Sequence, residues 1–539
     1  MSEVKRLKDP IYGYIDIPTK YISNIVDISV FQRLRRIIQT SYSPLYSSAV
    51  HNRFVHSIGV YHLGEIAFKK LKKEIIHKFK SELKLERIGE VFLLACLLHD
   101  VGHAPFSHTG EGFYLDNDKG YFLLHNKLAE VVDCEKFLQD VPKQKSAAAA
   151  PHEIISAIVG LKEYPDFFIE PSEREFFVRC ITGYKFSQIN EENSLKNCFI
   201  SLLNSKVIDV DKLDYLIRDA YITGFDTVSI DYERLLSSLT VSKVDGQFEL
   251  GYYKNAISVI ENVVYAHDSE RKWIQNHPVV LYEAYILQHV MSYLSSKIDS
   301  GDKKLFSLEC LSKSGQSFDN NIKVKLMCDD DIIYLMKNIY SNELSEEYFE
   351  RKNRRHPIWK SEAEYKAFFL GFTKGGELLI EFEKAMEATA NYLIKSTDSW
   401  VIDDKLIKKI KNELKELETI ELDEMTKNVQ KRQKKDILKI MNCLKEYSEQ
   451  KNIEYNFIIL MASQFNSGFS KPDFSAINIM FKTACSEKIA KFGDIASSLN
   501  AKEKERNNFF YLFYKRKNSE DSDIDNAEIC KKLFMEFLL

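Results

Sequence analysis

Leu97-Leu98-His99-Asp100-Val101-Gly102-His103 decides how the rest of the chain is read, together with Arg53-Phe54-Val55-His56 before it and Asp209-Val210-Asp211-Lys212-Leu213-Asp214-Tyr215 far behind it. In that order the three stretches supply His, His-Asp and Asp, a set able to close around one metal ion. The apolar run from Phe92 to Leu98 ends on the His-Asp pair, so two polar groups that are costly to bury stand at the end of a core helix. Adjacent helical residues point about 100° apart, and His99 and Asp100 share an ion only where it sits over the groove between them. A single His on an apolar face is usually a hydrogen-bonded core residue. Nine of the 13 histidines, however, fall before position 153 of a 539-residue chain, a skew that ligand chemistry explains better than chance. Imidazoles with carboxylates suit Fe, Mn, Zn or Mg, whereas soft metals want thiolates.

Composition narrows the class. With 45% hydrophobic and 12% aromatic residues, the chain can bury one large helical core with an appended lobe. A formal net charge of -4 and a pI near 6.4 argue against a nucleic-acid-binding surface. The nine cysteines are scattered with no CxxC pair, and Met1-Ser2-Glu3-Val4-Lys5 does not read as a secretory leader, so a cytoplasmic protein with reduced thiols is expected. The longest apolar runs are far shorter than the roughly 18 residues that suggest a membrane span.

Helical spacing recurs over 30–38, 58–71, 88–98, 152–161 and 207–220, which predicts helix upon helix through the first 300 residues. Residues 239–252 read as a hairpin, followed by one long helix from Lys254 to Lys297. Mixed charges between Lys405 and Lys451 predict a solvated helix pair. Ile453–Leu460, Phe474–Phe481 and Asn508–Tyr514 are rich in β-branched and aromatic residues, and Asn518–Asp525 is acidic. The expected fold is mainly α: a helical core over 1–300, a charged helical extension over 301–452, and a small α+β lobe over 453–539. The Arg351–His356 cluster is expected to be an exposed basic loop, and the Ala-rich tract 144–151 a surface loop.

Asp9-Pro10-Ile11-Tyr12-Gly13-Tyr14-Ile15, Phe31–Arg35, His51–Val60, His99–His108 and Asp209–Asp219 resemble the HD-superfamily dNTP triphosphohydrolases, above all the SAM-and-HD-domain dNTPases and their bacterial dGTPase-like relatives. The likeness is dense from about residue 8 to 290, and no SAM domain is expected ahead of it. It implies an HD-domain helical core and a role for each matching residue. His56, His99, Asp100 and Asp211 match the family's metal ligands, and Arg53 and Lys212 its phosphate contacts. His103, His108 and His152 match histidines beside the α-phosphate, with His108 and His152 as alternative general acids. Gln39, Tyr215 and Asp219 match residues that face the sugar. Asp27, Gln32 and Arg35 match positions that bind an activating nucleotide at a subunit interface.

The resemblance therefore implies a divalent metal, a dNTP substrate, an activating nucleotide and a homo-oligomer, dimer or tetramer. The expected reaction is dNTP cleavage at the α-phosphorus to deoxynucleoside and inorganic triphosphate, in dNTP-pool control or phage defence. An HD phosphohydrolase acting on another nucleotide would use the same metal shell. A non-catalytic nucleotide sensor would have no reason to retain acid, ligand and cation together. The stretch between His108 and His152 is longer than the family pattern.

Overall fold

In the computed structural model, the described residues are 3–79, 85–114, 118–142, 149–225, 229–299, 303–318, 323–338, 341–370, 376–395, 400–419, 423–451, 454, 456–462, 472–482, 487–495, 509–515, 528–529, 531–533 and 535. The Ala-rich tract up to Ala148 and the acidic stretch Asn518–Asp525 lie outside them. Helices dominate, as the spacing predicts. Packing groups the chain into two units. One comprises Met1–Arg271, Ser295–Leu335 and Asn466–Glu503; the other comprises Lys272–Leu294, Met336–Phe465 and Lys504–Leu539. The sequence reading places its divisions at 300/301 and 452/453 instead.

The first unit opens with a hairpin of β1 (Val4–Asp9) and β2 (Gly13–Pro18). Asp9 closes its turn by accepting the backbone N–H groups of Ile11 and Tyr12. The helical core follows: α1 (Arg53–Phe79), α2 (Leu85–Leu98), α3 (Asp118–Val132), α4 (Pro151–Glu163), α5 (Pro171–Thr182), α6 (Glu191–Leu203) and α7 (Val210–Thr223). Phe92, Ala95, Cys96, Leu97 and Leu98 of α2 are wholly buried, each large side chain contributing about 1.5–3 kcal/mol by leaving water. Helix α2 stops at Leu98, so His99 and Asp100 sit in the turn that follows. The turn, rather than a helical groove, aims both side chains at one point. Helix α3 occupies part of the long stretch between His108 and His152.

Two predicted elements come out differently. The 30–38 stretch is a short helix (Ser29–Gln32), then a 3-10 turn (Arg33–Arg36), then an extended bridge pairing Ile38 with Asn52. Its helical spacing is local, and the bridge brings Gln39 beside His51, which the spacing could not show. The expected helix 254–297 is broken into α8 (Ile257–Glu270), a π turn at Arg271–Gln275, and α9 (Pro278–Ile298). Pro278 lacks the N–H that an uninterrupted helix needs and instead opens α9 at its first position.

In the same unit β3 (Leu239–Val244) and β4 (Gln247–Tyr253) form the predicted hairpin. The second unit contains the helix pair α10 (Asp404–Thr419) and α11 (Glu424–Lys451), as the charge pattern predicts. The four strands β5 (Ile458–Met461), β6 (Asn478–Lys482), β7 (Glu487–Lys491) and β8 (Phe510–Tyr514) do not share one sheet. Strand β6 runs parallel to β4 and antiparallel to β7, extending the hairpin to four strands. Strand β8 lies antiparallel between β5 and the short strand His356–Pro357 in the second unit. Arg354 and Arg355, expected in an exposed loop, are buried there, paired with Glu283 and Glu347. Glu283, 71 residues away, takes the Arg354 guanidinium, and Glu347, eight residues back, takes that of Arg355.

Helices α1 and α2 approach closely at Gly89, where an added Cβ would stand 2.0 Å from the Phe68 ring. Gly89→Ala is therefore expected to lower unfolding free energy by about 1–3 kcal/mol through overpacking. Denaturant unfolding monitored by circular dichroism measures this loss.

Candidate metal centre and histidine cluster

Four side chains from three places in the chain meet at one point. His56 lies in the first turn of α1, His99 and Asp100 follow α2, and Asp211 lies in the first turn of α7. The His56 and His99 Nε2 atoms are 3.3 Å apart, and His56 Nε2 is 3.0 Å from Asp211 Oδ1 and 3.6 Å from Asp100 Oδ2. His99 Nε2 lies 3.7 Å from Asp211 and 3.6 Å from Asp100.

The opposite ring nitrogens explain the arrangement. His99 Nδ1 donates to the Cys96 carbonyl at 2.9 Å, and His56 Nδ1 to Asp214 at 2.8 Å. A neutral imidazole that donates from Nδ1 keeps a lone pair on Nε2. Burial lowers His56, but its bonds to Asp211 and Asp214 carry it up to about 10, so without an ion Nε2 holds a proton toward Asp211, and a bound cation would take that proton's place between two rings and two carboxylates. The donor set fits a borderline or hard divalent ion held by His56, His99, Asp100 and Asp211.

A second layer fixes the first. Asp214 accepts from both His56 and Arg218, and Arg218 also reaches Asp9 at 3.1 Å. At Gly59 an added Cβ would fall 1.9 Å from Asp214 Oδ1, so glycine lets α1 and α7 approach closely enough for the His56–Asp214 bond. Arg53 is buried and donates to Asp100 at 2.8 Å, to Ser107 Oγ at 2.8 Å and to the Gln39 carbonyl at 3.2 Å. Burial pushes Asp100 upward, but Arg53, followed by His99 and His56, holds its carboxyl well below the usual range.

Beside this set stands a second cluster. The His103 and His152 rings stack 4.3 Å apart at 12°, and His103 Nε2 is 3.9 Å from Asp100. Glu111 lies 2.8 Å from His152 Nδ1 and 2.6 Å from His108 Nδ1. Burial, then Arg53 and His152, pushes His103 well below its ordinary value, so it is neutral at pH 7. Burial also lowers His152, but Glu111 overcomes this and carries it up to about 9. One cluster thus holds a neutral ring against a proton-loaded one.

The remaining predicted residues divide. Lys212 donates to Asp209 at 2.7 Å and to the Ser205 carbonyl at 2.6 Å. Tyr215 and Asp219 share one face of α7, and Asp219 lies 2.6 Å from His51 Nε2. Gln39 is buried, its backbone N–H donating to the His51 carbonyl at 3.0 Å. Asp27 is 4.0 Å from Lys5, while Gln32 donates to the Val26 carbonyl and accepts from Arg35, whose guanidinium covers the Phe54 ring. Asp27, Gln32 and Arg35 therefore lie near the hairpin, with protein partners of their own. A cavity of about 800 Å³ beside Glu153, Asn204 and Lys206 includes none of the metal-facing residues. Sequence reasoning missed Glu111 and Asp214. Both lie three residues from a named site residue, at helical spacing, and that spacing was the available signal.

A model of the HD domain matches residues 53–159, a span that holds His56, His99, Asp100, His103, His108 and His152. The chain is 29% identical over 263 residues to an uncharacterized protein of Mycoplasma genitalium, covering 47% of this chain and 52% of that one. It is 31% identical over 234 residues to a deoxynucleoside triphosphate triphosphohydrolase SAMHD1 homolog of Dictyostelium discoideum, with 43% and 39% covered. It is 27% identical over 290 residues to human deoxynucleoside triphosphate triphosphohydrolase SAMHD1, with 52% and 43% covered. The chain spans from about half to three fifths of the length of the relatives it matches most strongly. The chain thus carries an HD domain in a mainly helical fold. The resemblance to the HD-superfamily dNTP triphosphohydrolases extends from its motifs to its relatives.

Asp214→Asn removes the charge that holds His56 while leaving both metal-facing carboxylates. Divalent-metal affinity is expected to fall 10–100-fold, roughly the effect of losing an outer-shell partner, with helix content retained. Metal analysis after dialysis against graded chelator concentrations reads the change.

Proposed function

We propose that the chain is a metal-dependent dNTP triphosphohydrolase that cleaves at the α-phosphorus to give deoxynucleoside and inorganic triphosphate. The observation that carries this reading is the contact between the two clusters: a four-ligand acceptor set stands within 3.9 Å of a ring stacked on a proton-loaded imidazole. Hydrolysis of a phosphate ester needs both, since charge builds on phosphoryl oxygens while the leaving oxygen must receive a proton. A divalent ion held by His56, His99, Asp100 and Asp211 supplies positive charge that polarises water or a phosphoryl oxygen.

The chain's residues do the rest. Arg53 fixes Asp100, and neutral His103 keeps its stack on His152 without adding a second charge. Glu111 keeps His152 protonated and draws in His108, so this pair delivers a proton to the 5′-oxygen as its bond to phosphorus breaks. Lys212 faces the triphosphate, a role that requires it to exchange its Asp209 contact for phosphate. Tyr215 packs on the sugar, and Gln39 and Asp219 read its 3′-hydroxyl. Asp27, Gln32 and Arg35 bind a second, activating nucleotide; Asp27 can accept both hydrogens from a guanine edge. The enzyme works as a cytoplasmic homo-oligomer in dNTP-pool control or phage defence. The names of its SAMHD1-type relatives support the dNTP part of this reading.

The deciding experiment incubates the purified chain with each dNTP and rNTP, singly and in pairs, with Mn or Mg, and resolves products by chromatography. Deoxynucleoside plus triphosphate, lost in Asp211→Ala, is the expected result, with turnover rising in mixtures. Monophosphate or diphosphate products would instead indicate another nucleotide phosphohydrolase.

Glu111→Gln removes the anion that raises His152. Its kcat is expected to drop about 100-fold, the scale of general acid catalysis. The alkaline limb of the pH–rate profile should move to lower pH, because His152 then loses its proton more readily. A pH series of initial rates for both proteins tests the shift; an unmoved limb would exclude His152 as the group titrating there.

A further inference from the structure

We propose that His51 is a positioning residue that sets recognition of a single sugar hydroxyl by orienting Asp219. This rests on the reading of Gln39 and Asp219 as sugar-facing residues. The His51 and Asp219 side chains are 4% and 2% exposed, and Nε2 stands 2.6 Å from Asp219 Oδ1. An imidazole that donates from Nε2 to a carboxylate keeps a lone pair on Nδ1. That Nδ1 is buried without a hydrogen-bond partner, and so is Oε1 of Gln39. The second carboxylate oxygen of Asp219 has no partner among the described residues.

Gln39 and His51 are joined through their backbones by the 3.0 Å bond from the Gln39 N–H to the His51 carbonyl. Three acceptors therefore belong to residues linked by two direct contacts, and none has a protein donor. Buried acceptors left unmade cost folding free energy, so the arrangement suits a ligand that brings a hydroxyl hydrogen. His51 contributes by immobilisation: its ring occupies one Asp219 oxygen, so the other is presented in one direction only. Without the ring, the carboxylate can turn about its own bond or satisfy itself elsewhere.

A role that only ties α7 to the segment before α1 separates from this one in a single ratio. This is the affinity for a dNTP divided by that for its 2′,3′-dideoxy counterpart, measured by titration calorimetry on the full chain. Where turnover occurs, it is also read as KM and kcat separately. The wild-type ratio is expected to be about tenfold or more, because a site built to bond a hydroxyl rejects the analogue lacking it.

His51→Leu, of similar bulk without a polar atom, should bring the ratio below about 3 by weakening dNTP binding while leaving the dideoxy affinity within about twofold. His51→Gln, whose amide can still donate to Asp219, should restore most of it. Should His51→Leu fail to give a cooperative thermal transition, His51→Phe is read the same way. Equal weakening of both ligands, with the ratio unchanged, would overturn the inference and leave the sugar reading of Asp219 intact. A wild-type ratio near one would overturn that reading and this inference together.

Discussion

Two imidazoles with their Nε2 atoms turned toward each other and toward two carboxylates constrain everything else in the first unit. In a dry interior such a contact persists only where each ring is held from behind and a cation is invited in front. The Cys96 carbonyl holds one ring and Asp214 the other. Asp214 in turn needs Arg218, and Arg218 needs Asp9 of the opening hairpin. A chain of buried charge thus runs from the hairpin turn through α7 into α1, ending at the ligand point. This explains why the hairpin, remote in sequence from the His-Asp pair, belongs with the same unit.

The same logic separates the histidines proposed as metal ligands from those proposed as acids. His56, His99, His103 and His152 are of one residue type, in one small volume. Their chemistry differs because their neighbours differ. A carboxylate behind Nδ1 and another beside Nε2 make His56 a ring that holds a cation, proton or metal, on its Nε2 side. Burial, with Arg53 nearby and no hydrogen-bonded anion on its ring, leaves His103 neutral. Glu111 against Nδ1 loads His152 with a proton. Moving one carboxylate would exchange these roles, so the function resides in the placement of Asp and Glu as much as in the histidines.

How much of this was legible in the sequence follows from range. The Arg53–His56, His99–His108 and Asp209–Asp219 motifs are short, and their order and spacing pointed to one metal point before any packing was known. The helices α1, α2, α4 and α7 were legible for the same reason, since a 3.6-residue period is a local property. What spacing could not supply was partnership across distance. Arg354 looks like a surface cation until Glu283 is packed against it, and β6 looks like part of a terminal lobe until it pairs with β4. The break at Pro278 was available from proline chemistry, but the apolar period on either side masked it.

His51, Glu111 and Asp214 fall between these extremes. His51 and Asp214 lie inside recognised motifs and Glu111 three residues beyond one, and each acts only through a contact with a residue from another part of the chain or another turn. Their residue types carry no signal alone, because a buried His or carboxylate is as often structural as functional. What distinguishes them is the unsatisfied atom each leaves or removes. Asp214 removes the free proton of His56, Glu111 removes the free charge of His152, and His51 leaves a lone pair with nothing to bond. At these three sites the hydrogen-bonding capacity that is left over, or taken up, is what a ligand that is not protein would meet.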